Sequence, residues 1–308
     1  MNLIFNTTDF HLKNKTAVTL GKFDGLHRGH QKLFQKVLEA KREGFETAVF
    51  TFSSFPTSIL SGVKHQTLTS NEERTRYLSQ IGLDYLIEYP FDQTLIHMSP
   101  EEFIKEILIK KLNAGYIIVG KDYHFGYKRE GDYNLLAQLA TKYNYRLLVM
   151  EKEKDHEREI SSTYIREELM KGNIEKVNEL LGYPYTFSGV VEHGRALARN
   201  LGFPTMNLKP NPEKLVPPPG VYCVKAVVDG CVYNGIANLG YKPTITDQQI
   251  LLLETHLFSF GESTYGKTID VMLYRYIRPE IKFASIEQLK AQMEHDVKTG
   301  KEFFAKLS

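Results

Sequence analysis

The pattern of apolar runs in this chain changes once, near Pro184, and that change limits the folds open to it. Before it, strand-length runs alternate with helix-length amphipathic segments. "TAVTL" (16–20), "TAVFTF" (47–52), "DYLIEY" (84–89), "YIIVG" (116–120) and "RLLVME" (146–151) read as strands. Leu33, Phe34, Val37 and Leu38 form a helical stripe after the first of them. Ser70 with Glu73 marks a capping-box helix start, and so does Ser99 with Pro100 and Glu102. "YNLLAQLATKY" is a further helix. Alternation of this kind gives a parallel sheet covered by helices on both faces.

Two helices, "ISSTYIREELMKG" and "IEKVNELLG", close this half at Gly182. After Pro184, strands follow one another through Gly- and Pro-rich turns. "YTFSGVVEH", "GVYCVKAVV", "CVYNGIANL", "LLLETHLFSF" and "TIDVMLYRYI" are short and closely spaced, which predicts a small antiparallel barrel or sandwich. A last helix starts at Ser285, with Gln288 in the capping-box position. The chain of 308 residues is long enough for two domains, and the boundary is expected at Tyr183, giving 1–183 and 184–308.

The composition narrows the function classes. A formal net charge of +2 supplies no global basic field for nucleic acid. No apolar run approaches the ~20 residues that span a bilayer, and the N-terminus lacks the pattern of a signal peptide. The two cysteines, Cys223 and Cys231, flank an Asp229-Gly230 hairpin turn. That turn pairs Val228 with Cys231 and Cys223 with Ile236, so the thiols are out of register for a cross-strand disulfide. Free thiols fit a reducing compartment, and the expected location is cytoplasmic.

Three polar clusters follow strands of the first half, where open parallel sheets bind ligands. "GKFDGLHRGH" (21–30) follows the first strand. Gly21, Gly25 and Gly29 permit tight turning, and His27 and His30 stand three apart at a helix start, where anions are favoured. A capping role and a metal site are the other readings of two such histidines. "VGKDYHFGYKREG" (119–131) is a Gly-rich basic loop or a ligand loop. "ISSTYIR" offers Ser161, Ser162 and Thr163 as helix caps that can also hold phosphate, with Arg166 one turn on.

In this order the three clusters resemble the adenylyltransferase module of the bifunctional riboflavin kinase/FAD synthetases. "LGFPTMN" (201–207), "GIANLGYKPT" (235–244) and "YRYIRPEIKFASIEQLKAQMEHD" (274–296) resemble the kinase module of the same family. The resemblance runs from about Thr16 to Asp296 and implies the architecture: an α/β Rossmann-like nucleotidyltransferase domain, then an all-β antiparallel six-stranded barrel with a C-terminal helix. It implies two ATP-dependent reactions, riboflavin to FMN in the second domain and FMN to FAD with release of pyrophosphate in the first. The alternatives are a kinase with a degenerate or re-purposed first domain, and a flavin-binding regulator without turnover.

The resemblance also implies site residues. His27 and His30 would stabilise the triphosphate, with Gly21, Phe23, Asp24, Gly25, Gly29 and Asp122 around the nucleotide. Ser161, Ser162, Thr163 and Arg166 would hold the leaving pyrophosphate. In the kinase, Glu254 would be the general base. Gly194, Arg199, Gly202, Phe203 and Pro204 would bind ATP and flavin, with Thr205 and Asn207 as the Mg²⁺ ligands. Riboflavin, FMN and ATP are the expected partners of a monomer or weak oligomer, without nucleic acid or membrane. Four positions depart from the family pattern: Phe55 in place of His, Glu159 where a basic residue is usual, Ala198 in place of Gly and Met206 in place of Ala.

Overall fold

The computed structural model describes residues 1–53, 66–192, 201–243 and 249–307. The chain divides into two compact units, Met1–Ser162 and Thr163–Ser308.

The first unit is a six-stranded parallel sheet of β1 (Asn2–Phe5), β2 (Thr16–Leu20), β3 (Glu46–Phe52), β4 (Tyr85–Tyr89), β5 (Ala114–Gly120) and β6 (Arg146–Met150), in the order β1-β4-β3-β2-β5-β6. The chain steps from β2 outward to β3 and β4 on one side, then returns to place β5 on the other side of β2. The reversal therefore lies between β2 and β5. Every residue of β2 is buried, as a central strand covered on both faces requires. The helices are α1 (Arg28–Glu39), α2 (Asn71–Gln80), α3 (Gln93–His97), α4 (Pro100–Glu102, continuing as Phe103–Lys111) and α5 (Tyr133–Tyr143). The capping boxes expected at Ser70 and Ser99 are both formed. Past Glu102 the helix widens to i→i+5 bonding, and the Leu112 N–H donates to the Ile107 carbonyl at 2.9 Å.

β1 is the one strand of this sheet that the alternation pattern does not predict. It is four residues long at the sheet edge, and Leu3 and Phe5 stay exposed, so it carries no apolar rhythm. A two-residue hairpin, β7 (Lys154–Asp155) and β8 (Arg158–Glu159), precedes α6 (Ser162–Met170). Deep under α2, Arg74 pairs with Glu88 of β4, both only 2% exposed. Removing either partner would strand a buried charge at a cost of about 3–5 kcal/mol.

The second unit carries the rest of α6, then α7 (Ile174–Leu181), which ends at left-handed Gly182. Six strands close into an antiparallel barrel in the order β10-β13-β12-β11-β14-β9. They are β9 (Tyr185–Glu192), β10 (Met206–Leu208), β11 (Gly220–Val228), β12 (Cys231–Pro243), β13 (Gln249–Leu257) and β14 (Thr268–Pro279). The Asp229-Gly230 turn sets the expected register, Val228 to Cys231 and Cys223 to Ile236, and both thiols are free. Periodicity finds five of the six strands. It misses β10, whose three residues are too few to alternate visibly. α8 (Ile286–Ala305) starts at Ser285 and is tied to β14 by a two-pronged ion pair of Arg278 with the buried Asp296. Among the described residues no helix is long and apolar enough to cross a membrane.

Candidate active sites

In the first unit the reversal between β2 and β5 brings "GKFDGLHRGH" and "VGKDYHFG" to neighbouring strand ends, because each segment begins where its strand stops. The loop after β2 is tightly wound. Phe23, Gly25 and Leu26 all take left-handed backbone angles, at φ 50°, 83° and 42°. A non-glycine residue in that region costs about 1–3 kcal/mol. Burial of the Phe23 and Leu26 side chains offsets that cost and fixes the turn.

Phe23 is the floor of the site. Its ring meets His30 edge-on with centroids 5.2 Å apart, and a Cβ on Gly21 would lie 2.9 Å from its Cζ. His27 occupies the cap position of α1 without making a side-chain cap bond. Its ring stacks on that of His30, centroids 3.6 Å apart. A Cβ on Gly29 would come within 3.3 Å of the His27 Cε1 and Nδ1 atoms, so glycine leaves room for the stack. The Nδ1 atoms of both histidines are buried and lack a partner.

Burial lowers the His27 pKa to about 4, with Asp122 pulling weakly the other way. Burial, and then the charge of His27, holds His30 well below the ordinary histidine range. Both rings are therefore neutral near pH 7, each with one N–H to donate. Two neutral donors with unmet hydrogen-bonding capacity at a helix N-terminus form a receptor for anionic oxygen. Asp122 is exposed at the end of β5, 3.1 Å from Lys152.

Asp24 is buried within this loop. Its carboxylate accepts the backbone N–H groups of Leu68 and Thr69 at 2.8 and 3.4 Å, and its carbonyl accepts the Ser162 hydroxyl at 2.9 Å. It thereby ties the loop to the segment before α2 and to the first residue of α6. Ser161 is half-buried beside it, and Thr163 and Arg166 continue α6 as exposed and half-buried residues. Glu159 stands where a basic residue is expected. It is paired at 2.8 Å with Lys152, which also holds Asp122, so a positive charge reaches this spot from beyond β6. Phe55 lies outside the described residues.

In the second unit Asn207 of β10 sits opposite Glu254 of β13, and Glu254 sits opposite Asn238 of β12. Directly paired residues share a face, so the three form one row. On β13 Leu253, Thr255 and Leu257 are buried and Leu252, Glu254 and His256 are half-buried, which puts Glu254 on the outer, polar face. Asn207 is only 5% exposed and its Oδ1 has no partner. An unsatisfied buried oxygen beside a carboxylate suits a hard cation, and Thr205 lies in the turn that leads into β10. Met206 points the other way and is buried, so its replacement of a smaller residue is absorbed in the core.

The turn that carries Thr205 is pinned from β13. The ring Nδ1 of His256 lies 2.9 Å from the Pro204 carbonyl, and its ring meets Phe203 edge-on at 5.6 Å. Gly202 supplies the left-handed angle, φ 92°, that opens this turn. Gly194, Ala198 and Arg199 lie outside the described residues. Sequence reasoning overlooked Lys152, Lys242 and His256. Lys242 pairs with Glu254 at 3.0 Å; it lies within the "GIANLGYKPT" segment and His256 alternates onto the face of Glu254, whereas no motif marks Lys152.

The chain matches the family model for FAD synthetase over residues 9–164 and the model for riboflavin kinase over residues 181–304. It is 36% identical to the bifunctional riboflavin kinase/FMN adenylyltransferase of Listeria monocytogenes, covering 98% of this chain and 96% of that protein. The same identity holds to the Bacillus subtilis protein of that name over 100% and 99%, and to the Escherichia coli K12 protein over 94% and 92%. A solved structure named as a macrolide-efflux protein from Streptococcus pneumoniae is 29% identical, with a TM-score of 0.86 over 97% of this chain and 98% of that one.

Proposed function

This chain belongs to the family of bifunctional riboflavin kinase/FMN adenylyltransferases, and from that premise we propose that it performs both reactions, one in each domain. The first domain, 1–183, adenylylates FMN to FAD. The second, 184–308, phosphorylates riboflavin to FMN. The observation that carries this reading is where buried polar atoms go without partners. Among the described residues, three of them, His27 Nδ1, His30 Nδ1 and Asn207 Oδ1, fall on the two motifs. A buried donor or acceptor left unpaired costs about 1–3 kcal/mol, which a ligand that satisfies it returns as affinity.

In the adenylyltransferase, the FMN phosphate attacks the α-phosphorus of ATP, and the bond to the β-phosphate oxygen breaks to release pyrophosphate. The nucleophile is already an anion, so positioning and charge stabilisation carry the catalysis. His27 and His30 donate N–H groups to the triphosphate oxygens. Gly21, Phe23, Gly25 and Gly29 shape the turn that holds them, Asp24 anchors it and Asp122 meets the nucleotide. Ser161, Ser162, Thr163 and Arg166 are assigned to the pyrophosphate from their motif.

In the kinase the nucleophile is a neutral alcohol. Glu254 takes the proton of the ribityl hydroxyl as its oxygen bonds to the γ-phosphorus of ATP, and ADP departs with the electron pair of the broken bond. Thr205 and Asn207 would hold Mg²⁺, which would supply charge neutralisation to the phosphates. The turn Gly202–Pro204, with Gly194 and Arg199, binds ATP and flavin. A cytoplasmic enzyme acting without nucleic acid or membrane partners belongs to the same proposal.

Paired variants test the assignment. Glu254→Gln should lose FMN formation and keep FMN adenylylation, and His30→Ala should do the reverse. Loss of both activities in either variant, with the fold intact by circular dichroism, would overturn the two-site reading.

A further inference from the structure

The outer face around Glu254 is acidic. Glu192 lies opposite Asn207 in the β9–β10 pairing, and Glu254 lies on the other side of Asn207. Glu280 Oε1 accepts the Asn238 amide at 3.1 Å. A Cβ on Gly240 would fall 2.1 Å from that same oxygen, so the Glu280 carboxylate fills the space over Gly240. Three carboxylates thus surround Asn207 and Asn238, and like charge repels a polyphosphate that comes to this face.

Asn238, Gly240 and Lys242 alternate onto this face of β12, and Lys242 reaches diagonally to put its Nζ 3.0 Å from Glu254 Oε2. Among the described residues it is the cation within ion-pair distance of Glu254. Both side chains keep about a third of their surface, at 38% and 31%, so a substrate can reach the pair. The lysine stem has four rotatable carbons and its ammonium three donors, so it can hold one carboxylate oxygen and still turn toward a second acceptor.

We propose that Lys242 is a further catalytic residue of the kinase, placing its ammonium on the γ-phosphoryl oxygens beside the carboxylate that takes the proton. The inference rests on Glu254 being the base. Before substrate arrives, Lys242 balances the charge of Glu254. As the ribityl oxygen bonds to phosphorus and the bond to ADP breaks, the proton passes to Glu254 and its charge is quenched. The ammonium released from that pairing then faces the oxygens on which charge collects. It serves at the step where preorganised positive charge lowers a phosphoryl-transfer barrier.

The test uses the full chain, with steady-state FMN formation as the readout and FMN adenylylation in the same preparation as the folding control. Lys242→Met should lower kcat on the order of 10- to 100-fold, the lower part of the range for losing one such donor. KM for ATP and riboflavin should stay within about 2-fold and adenylylation should be unchanged, because the lost contact is made in the transition state. Lys242→Arg should keep more activity than Lys242→Met. Propylammonium should restore turnover to Lys242→Ala and leave Glu254→Ala inactive. A Lys242→Met enzyme with wild-type kcat would overturn the proposal, and so would a loss confined to KM that no amine rescues. Glu254→Gln separates the two failures. If it is inactive while Lys242→Met is fully active, the lysine assignment alone fails. If it turns over normally, the base assignment fails first.

Discussion

Replacing Gly29 by alanine should move stability and catalysis in opposite directions. Gly29 is the second residue of α1 and has ordinary helical angles. Alanine in a helix interior is favoured over glycine by about 0.8–1 kcal/mol, and a first-turn position gains about half of that. For a domain of this size, about 0.5 kcal/mol raises Tm by about 1–2 °C. The new Cβ, however, would sit 3.3 Å from both Cε1 and Nδ1 of His27. The ring is stacked on His30 at 3.6 Å, so it yields by a few tenths of an ångström only by disturbing the stack. Misplacement by about 1 Å can cost 10²-fold in rate, which scales to about 10-fold here. The assay is pyrophosphate release from FMN and ATP, with FMN formation from riboflavin as the internal control and calorimetry for Tm. We expect a Tm at or slightly above wild type, an adenylylation rate about 10-fold lower and an unchanged kinase. Unchanged adenylylation would refute the claim that the His27 ring position matters to the reaction.

Other outcomes follow from the same geometry. The His27 pKa is held at about 4 in the fold, against about 6.5 in an unfolded chain, so the unfolded state binds the proton first on acidification. Wild type should therefore lose about 3 kcal/mol of stability relative to His27→Gln as pH falls from about 6.5 through 4, read as a larger fall in its urea midpoint. Asn207→Leu removes a buried oxygen without a partner, so Tm should hold or rise while FMN formation is lost, and a large fall in Tm would contradict the ligand role. Ser162→Ala deletes the 2.9 Å bond to the Asp24 carbonyl; unfolding should cost about 1 kcal/mol less, and adenylylation should fall while FMN formation stays at the wild-type rate.

Much of this molecule is legible in its residue pattern, for identifiable reasons. The strands at β2 through β6 show themselves because each is an apolar run of five to seven residues next to a helix-length segment. The hairpin register follows from Asp229-Gly230 because a two-residue turn leaves no slack. What escapes is short or lies at an edge. β10 has three residues, yet it sets Asn207 across from Glu254, and only its register makes that pairing visible. β1 escapes for the same reason at a sheet edge.

The motif residues are legible in position more than in orientation. "GKFDGLHRGH" marks a phosphate-type turn, but nothing in it says that Asp24 spends its carboxylate on Leu68 and Thr69. Departures from a pattern are also misleading when read singly. Glu159 read singly is a reversed charge, but Lys152 pairs with it and neutralises it, and Met206 looks like an altered ligand loop until its side chain is seen in the core. Compensation of this kind passes between segments that are distant in sequence or across a strand's two faces, so one position at a time does not reveal it.

One chain runs two consecutive reactions, the second consuming the product of the first. The most direct measurement incubates the purified protein with riboflavin, ATP and Mg²⁺ and follows flavins and nucleotides together by chromatography. FMN should appear with ADP, and FAD should then appear with pyrophosphate as FMN declines. Riboflavin left unchanged would contradict this, and FMN that accumulates without any FAD would contradict the assignment of the first domain.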